Sequence, residues 1–370
     1  MSTLVIASQK NWIEGSALEQ LNKTAQLPGM RKAIGMPDLH PGKDAPIGAV
    51  FAGDLVYPHL VGNDIGCGMA LWQTDLRNAK IKLDKWVKRL TGLEGPWDGD
   101  VSEYMRVHNV DATEFDSSLG TIGGGNHFAE LQRLHKIADP HRFAAMGLDA
   151  KALFLLVHSG SRGFGESILH ANAAQFGNRG HDPASPEGIA YLRSHDHATR
   201  WAKANRHLIA TRFMAALGAR GNCVLDVCHN CVQQGRLDGQ PCWLHRKGAA
   251  PSDVGPVVIP GSRGSLSYLV TATGDQEVNL ATLAHGAGRK WRRGECRGRL
   301  EKRFSQDDLI QTELGSRVIC EDKDLLFEEA PPVYKNVDIV VNDLVEAGVV
   351  SVVATFAPLI TYKKRKDEEL

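Results

Sequence analysis

The chain has 370 residues, of which 42% are hydrophobic and 23% charged, and 43 basic residues balance 43 acidic ones. These values are typical of a large globular protein, and the zero net charge excludes a global preference for nucleic acid, so any such surface must be a local patch. The N-terminal segment lacks the pattern of a signal peptide and no apolar run reaches the length of a membrane span, so we expect a cytoplasmic protein without a membrane partner. The seven cysteines are then expected to be reduced thiols, some of them available as metal ligands.

The first half of the chain contains one dense loop region and one clear buried strand. Residues 34–75 are rich in Gly and Pro and are predicted to form loops and short strands, whereas residues 78–93 have more helical character. The apolar run FLLVHSG at 154–160 ends in a His and a Gly turn. This pattern is typical of a buried strand that presents a side chain at its tip.

The second half begins with a long predicted helix over residues 186–218. Ser185 is a candidate N-cap, Pro186 suits the first turn, and Gly218 suits the stop. Residues 337–360 are predicted to form a strand, a helix and a second strand. Because strands and helices mix without a regular βαβ rhythm, we expect an α+β fold, and the length of the chain allows either one large domain or two.

Five short stretches share one design, in which a possible metal ligand sits among glycines or at the end of a strand. They contain Asp64 and Cys67 in NDIGCG, His127 in GGGNHF, His158 in VHSGSRGFG, His229 in CHNC, and His285 in HGAGR. A thiol, a carboxylate and several imidazoles suit Zn, Mn, Fe or Co, and the carboxylate makes Mn as suitable as Zn. Any one of these histidines alone is more often a hydrogen-bonded loop residue, but five similar sites favour a metal centre in which a thiolate bridges two ions.

A rival metal site involves four cysteines in the second half of the chain. Cys228 and Cys231 have the two-residue gap of a zinc knuckle, whereas Cys223 and Cys242 follow no regular spacing. Buried reduced thiols are the better interpretation of this set.

Two Gly-rich loops could bind phosphate through their backbone N–H groups. They are GGGNHF at 123–128 and IPGSRGSLSY at 259–268, and neither matches a nucleotide-binding fingerprint. Cations that suit phosphate oxygens follow several motifs, namely Arg162, Arg263, Arg289, Arg292, Arg293 and the HRKG segment at 245–248. In HGAGR, His285 could attack a phosphorus atom and hold a phosphoramidate, or serve as a further metal ligand.

Taken together, these motifs resemble the RtcB family of RNA ligases over nearly the whole chain. The resemblance rests on MPDLHPG, NDIGCGM, GTIGGGNHFAE, HSGSRGFG, CHNC, HRKGA, IPGSRGS and HGAGR, in this order. It implies a GTP- and Mn-dependent ligase that joins an RNA 3′-phosphate or 2′,3′-cyclic phosphate to a 5′-hydroxyl, in RNA repair or tRNA splicing. It also implies one large mixed α+β domain over residues 1–370, with a central cleft for metal and nucleotide.

The resemblance also implies residue roles. His285 would be guanylylated, and two Mn ions would be held by Asp64, Cys67, His127, His158 and His229, with Cys67 bridging. The nucleotide contacts would be Asn126, Glu130, Asn230, Pro260, Gly261, Ser262, Ser265, His285, Gly286, Ala287, Gly288, Tyr334 and Lys363. Among these, Tyr334 would stack on the base and Glu130 would favour guanine by accepting its N–H groups.

Three residues depart from the family pattern and indicate a divergent subgroup. Lys43 and Asp44 replace a tyrosine and a glycine beside the metal loop, and Arg292 replaces a serine after HGAGR. An archease-type activator or a release-factor homologue is a possible partner of such a chain. The alternatives are a di-metal phosphoester hydrolase acting on 2′,3′-cyclic phosphates, which would not need His285, and a non-catalytic RNA- or nucleotide-binding protein.

Overall fold

The protein is described by a computed structural model that covers residues 2–365. Its strands are β1 (Ser2–Val5), β2 (Met30–His40), β3 (Ile47–Gly53), β4 (Gly68–Arg77), β5 (Phe128–Ile137), β6 (Ala152–Ser159), β7 (Gly221–Cys228), β8 (Asn230–Leu237), β9 (Gln240–Lys247), β10 (Ala249–Pro251), β11 (Val257–Pro260), β12 (Ser267–Ala272), β13 (Thr282–Ala284), β14 (Arg317–Cys320) and β15 (Val350–Lys364). Its α-helices are α1 (Gly15–Ala25), α2 (Leu83–Arg89), α3 (Val101–Val107), α4 (Pro140–Ala145), α5 (Gly163–Phe176), α6 (Pro186–Leu217), α7 (Arg293–Leu300), α8 (Gln306–Ile310), α9 (Lys323–Glu328) and α10 (Val337–Glu346).

Two sheets organise the fold. One has the strand order β1-β2-β3-β9-β8, and the other has the order β11-β12-β15-β5-β6-β4-β7 with β14 beside β15. Within the described part of the chain, only the β1–β2 and β14–β15 pairs are parallel; the other strand pairs are antiparallel. Mostly antiparallel sheets with separate helices make an α+β fold, so the predicted fold class is confirmed.

The larger sheet is buried on both faces, which explains the apolar run at 154–160. On β6, Phe154 and Leu156 face a core shared with the smaller sheet, whereas Leu155 and Val157 face a second core. In that second core they pack with residues of α6 such as Phe213. A strand with both faces covered needs apolar residues at consecutive positions, so the predicted buried strand is confirmed.

Helix α6 has the predicted bounds and the predicted caps. The Ser185 hydroxyl accepts the Gly188 N–H at 3.1 Å, Pro186 occupies the first turn, and Gly218 ends the helix with a φ of +68°. Among the described residues, no helix combines the length and the apolar character that a membrane crossing requires.

Two segment predictions need correction. Residues 337–346 form helix α10 rather than a strand, because Val337, Val340, Val341 and Leu344 repeat with helical period and Asn336 caps the helix. In the region 34–75, which was expected to hold short strands, MPDLH forms the end of the 11-residue strand β2. The pairing of β2 with β3 shifts register between Gly35 and His40, so the Pro-containing segment is accommodated as an irregularity within the sheet.

Candidate metal and nucleotide site

A cavity of about 380 Å³ is the centre of the candidate site. Of the residues predicted for the site, all but Ser265 line it: Asp64, Cys67, Asn126, His127, Glu130, His158, His229, Asn230, Pro260, Gly261, Ser262, His285, Gly286, Ala287, Gly288, Tyr334 and Lys363. Ser265 lies behind the wall, where its hydroxyl accepts the Ser262 N–H at 2.7 Å. Ser265 therefore shapes the loop at 259–268 instead of facing the cavity.

The predicted metal ligands form two triads that share one thiol. Cys67, His158 and His229 make one triad, and Asp64, Cys67 and His127 make the other, with all ligand atoms of each triad within 4.8 Å of one another. Cys67 Sγ lies 3.2 Å from His158 Nε2 and 3.4 Å from His127 Nε2. A thiol common to both groups is the arrangement expected of a ligand that bridges two ions.

Sheet register explains how ligands from distant parts of the sequence meet. Strand β4 lies between β6 and β7, with Met69 opposite His158 and Gly68 opposite Cys228. The His229 backbone N–H donates to the Cys67 carbonyl at 2.7 Å, which fixes the turn after β7 beside the loop before β4. The ligands thus come from adjacent strand ends rather than from one local motif.

Glycine is required where the chain passes the carboxylate of Asp64. A Cβ atom added at Gly160 would lie 2.3 Å from both Asp64 oxygens, far inside van der Waals contact. The Arg162 backbone N–H then donates to Asp64 Oδ1 at 3.0 Å. The glycine after the β6 strand therefore lets the backbone approach and hold the carboxylate.

The protonation states suit metal binding. Burial lowers the pKa of His158 and His229 well below the usual value, aided by neighbouring histidines, so both rings are neutral. The Nδ1 atom of His158 lies 3.2 Å from the Asn126 carbonyl, which can only accept, so Nδ1 carries the proton and the Nε2 lone pair faces Cys67. Burial alone would raise the pKa of Asp64, but His127 and hydrogen bonds from Cys67 and Arg162 give a net lowering, so Asp64 is ionised.

Burial and the charge of Asp64 raise the pKa of the Cys67 thiol well above its ordinary value. An ion bound by this donor set would favour the thiolate, because metals bind deprotonated ligands. One carboxylate, three imidazoles and one thiol fit borderline divalent ions such as Zn or Mn. The residues present therefore fit a two-ion site.

His285 is held by an acid that sequence reasoning missed. Its Nδ1–H donates to Asp38 Oδ2 at 2.6 Å, and its backbone N–H reaches the same oxygen at 3.2 Å. Asp38 is fully buried, and the His285 ring lies 4.8 Å from the His229 ring between centroids. In the neutral ring, this hydrogen bond places the proton on Nδ1 and makes Nε2 the nitrogen with the free lone pair. The sequence feature that could have identified Asp38 is its place as the acid of the MPDLHPG motif, which lies 247 residues before His285.

The residues that are predicted to contact the nucleotide base, Glu130 and Tyr334, line the other end of the cavity. Glu130 accepts from Gln132 Nε2 at 2.7 Å and from the Thr361 hydroxyl, and burial raises its pKa to about 7 despite these bonds. Tyr334 lies with one ring face toward the Arg289 guanidinium, whose central carbon is 5.3 Å from the ring centroid. The other ring face is thereby the one available for stacking on a base.

Sequence comparisons agree with this geometry. The family model described as tRNA-splicing ligase RtcB matches residues 20–96 and 94–364. This chain belongs to the RtcB family. It is 50% identical to the RNA-splicing ligase RtcB2 of Escherichia coli over 368 residues, which cover 98% of this chain and 96% of that protein. It is 29% identical to the RNA-splicing ligase RtcB of Mycobacterium tuberculosis, over 92% of this chain and 99% of that one. The same identity relates it to the tRNA-splicing ligase RtcB of Thermococcus kodakarensis, over 92% and 90%.

These matches confirm the predicted family and the prediction that this RtcB-family chain is a ligase.

In the HRKG segment, Lys247 lines the cavity. His245 and Arg246 are fully buried away from it: His245 Nε2 accepts the Tyr57 N–H at 2.9 Å, and Arg246 Nε donates to Thr282 at 2.9 Å. Their expected role as phosphate contacts is therefore wrong.

Asn230 lines the cavity, yet both ends of its amide are used within the chain. Its Nδ2 donates to the Asp64 carbonyl at 3.1 Å, and its Oδ1 accepts the Gly248 N–H at 2.7 Å. Asn230 therefore connects, through these two hydrogen bonds, the loop that carries Asp64 to the turn after β9. In the described residues, the four cysteines of the rival zinc site form no metal-ligating group, and the Cys228 thiol donates to the Asn230 carbonyl at 3.5 Å.

The departures from the family pattern lie at the surface. Lys43, Asp44 and Arg292 are exposed. The charge of Asp44 acts on Lys247, whose pKa burial lowers to about 8 and Asp44 partly restores. A residue outside the cavity thus influences a cation inside it.

A second missed residue is Glu329, which lines the cavity and is 3% exposed in its side chain. It follows helix α9, in the segment EAPPVYK, where the sequence predicts a role only for the tyrosine. A carboxylate followed by two prolines carries no spacing signature, so only the folded structure reveals its contacts with Arg289, Lys363 and Tyr334.

Proposed function

We propose that this chain joins RNA ends, an RNA 3′-phosphate or 2′,3′-cyclic phosphate to a 5′-hydroxyl, with GTP as the energy source and two Mn ions as cofactors. The observation that carries the proposal is the pairing of His285 with Asp38 beside the two ligand triads. An imidazole whose Nδ1–H is held by a carboxylate has one tautomer and a free nucleophilic Nε2.

In the first step, Nε2 of His285 attacks the α-phosphorus of GTP, a P–N bond forms, and the bond to pyrophosphate breaks. The positive charge that develops on the imidazole is stabilised by Asp38, which keeps its hydrogen bond to Nδ1 throughout. A 2′,3′-cyclic phosphate is first opened by water, which breaks the ester bond to the 2′-oxygen and leaves a 3′-phosphate. An oxygen of the RNA 3′-phosphate then attacks the guanylyl phosphorus and breaks the P–N bond. The 5′-hydroxyl finally attacks the activated RNA phosphate and GMP leaves.

The metal ions would be held by Asp64, Cys67, His127, His158 and His229, which the donor chemistry supports. Bound ions would supply charge neutralisation for the triphosphate and its leaving group. The cations Lys247 and Arg293 line the same cavity and would bind phosphate oxygens, whereas the Arg289 guanidinium is engaged by Glu329 and the Glu328 carbonyl.

At the other end of the cavity, Glu130 and Lys363 would read the base and Tyr334 would stack on it. A carboxylate accepts the two adjacent N–H groups of guanine, whereas adenine offers no such pair. The geometry supports these roles through the shared cavity, since all three side chains line it together with His285.

The test is covalent labelling followed by denaturation. With Mn present, GTP labelled in the α-phosphate should leave acid-labile label on the chain, whereas label in the γ-phosphate should not remain. The variant His285→Ala should lose the label, and the exposed His170→Ala should keep it. Opening of a cyclic phosphate without any retained label would instead support the hydrolase alternative. The physiological RNA, an archease-type or release-factor-like partner and a cytoplasmic location stay predictions.

A further inference from the structure

We propose that Glu329 is a positioning residue for the nucleotide: it holds the groups that contact the base, Lys363 and Tyr334, in the orientation that binding requires. This inference rests on the proposed function, because it assigns the base to this end of the cavity. It concerns a residue outside the predicted set of contacts.

Both carboxylate oxygens of Glu329 are engaged with groups of the cavity wall. Oε1 accepts from Arg289 Nη1 at 2.9 Å, and Arg293 Nε lies 3.9 Å from the same oxygen. Oε2 accepts the hydroxyl of Tyr334 and lies 3.5 Å from Lys363 Nζ. One buried acid therefore connects four side chains that come from three separate parts of the sequence.

The dependence of Lys363 on Glu329 is the strongest of these links. The Lys363 side chain is 4% exposed, and within the described residues its only ion pair is with Glu329. Burial lowers the pKa of this ammonium group, and the charge of Glu329 opposes that lowering. Without the carboxylate, Lys363 would be a buried cation that has lost its ion pair, and only the charge of Glu130, which lies beyond ion-pair distance, would remain to balance it. Such a cation is costly, so Lys363 would turn toward another acceptor or lose its proton.

Tyr334 is fixed on two sides by the same arrangement. Its hydroxyl is held by Glu329, and one ring face is covered by Arg289, which Glu329 also binds. The ring plane is therefore set before the nucleotide arrives. A preformed stacking surface reduces the entropy that binding has to overcome.

Glu329 has no direct contact with the group that would be guanylylated. His285 is held by Asp38 in strand β2, and neither residue hydrogen-bonds to Glu329. Removing the charge of Glu329 should therefore weaken nucleotide binding and base discrimination while leaving the chemical step at His285 intact. This split distinguishes positioning of the nucleotide from a general loss of structure.

The experiment uses Glu329→Gln in the full chain, with Glu328→Gln as the matched control one residue earlier. Affinity for GMP is measured by calorimetry without metal, and the single-turnover rate of GTP labelling at His285 is measured at saturation with Mn. We expect GMP binding to weaken about tenfold or more and the preference for GTP over ATP to fall, because a buried ion pair has lost one partner. The saturated labelling rate should change less than about twofold, and Glu328→Gln should behave as the parent chain.

A double-mutant cycle with Lys363→Met keeps the test decisive if Glu329→Gln folds poorly. The pair of neutral residues removes both charges, which buried sites tolerate better than a single unpaired charge. Because Glu329 acts through Lys363 as well as Tyr334, the loss of GMP affinity in the double variant should be smaller than the sum of the two single losses. Additive losses, unchanged GMP binding in Glu329→Gln, or an equal loss in the saturated labelling rate would each overturn the inference. Failure of the parent chain to retain α-label would instead overturn the proposed function.

Discussion

Replacing Glu130 by Gln should abolish a pH dependence of guanine-nucleotide binding that the parent chain has near neutrality. Burial raises the pKa of Glu130 from 4.5 to about 7, and the hydrogen bonds from Thr361 and Gln132 and the charge of Lys363 offset this only in part. A protonated carboxyl group cannot accept both N–H groups of guanine. Binding should therefore tighten as the pH rises through 7 and reach a plateau above it.

The magnitude follows from the ionised fraction. One pH unit below the pKa, about one tenth of the Glu130 side chains are ionised, so guanine-nucleotide affinity should be about tenfold lower at pH 6 than above pH 8. The same shift implies a cost of roughly 3 kcal/mol for ionising this carboxyl in the folded chain. Because the folded pKa is the higher one, the contribution of Glu130 to stability is lost as the pH rises from 4.5 through 7.

The assay is calorimetric binding of GMP between pH 5.5 and 8.5 in the absence of metal, since ion binding by the histidines depends on pH as well. Titration of the GMP phosphate affects both proteins equally, so the difference between parent and Glu130→Gln isolates this residue. Thermal midpoints give a second measurement, because the variant should gain stability relative to the parent between pH 5 and pH 8. Equal pH slopes of GMP affinity in the two proteins would refute the reasoning.

Three further substitutions test the rest of the site. Asp38→Asn should lower the rate of guanylylation at His285 about 100-fold or more at unchanged GMP affinity, because the imidazole loses the acceptor that sets its tautomer; single-turnover labelling measures this, and a parental rate would contradict it. Cys67→Ser should weaken Mn binding and reduce the number of ions bound, since a hydroxyl is a poor bridge; equilibrium dialysis should find fewer ions per chain, and unchanged stoichiometry would exclude bridging. Gly160→Ala should reduce Mn affinity about tenfold or more with little change in thermal midpoint, because the added Cβ displaces the Asp64 carboxylate; unaltered affinity would show that the loop adapts.

The candidate metal ligands could be predicted from sequence because each lies in a short motif with glycine or at a strand end. Asp64, Cys67 and His158 are recognisable one by one, and their convergence follows from the order of β6, β4 and β7. Their chemistry limits what they can do even before the fold is known.

The partners of these groups could not be found in this way. Asp38 and Glu329 are isolated acids, and their importance arises from contacts with His285 and Lys363 at other points of the chain. Such pairs depend on tertiary packing alone and leave no spacing in the sequence. Helix α10 was misassigned for a different reason, since a short Val-rich run satisfies both strand propensity and helical period.

Strand β15 lies between β12 and β5 in the larger sheet, although it follows all the other described elements along the chain. During synthesis on the ribosome, the β11–β12 pair and the strands β5, β6, β4 and β7 cannot join into one sheet until β15 has been made. Thr361 and Lys363, which line the end of the cavity that we propose binds the base, emerge with it. If the proposed function is correct, a nascent chain stalled before β15 would already contain every candidate metal ligand but would lack two of the side chains at the base-binding end.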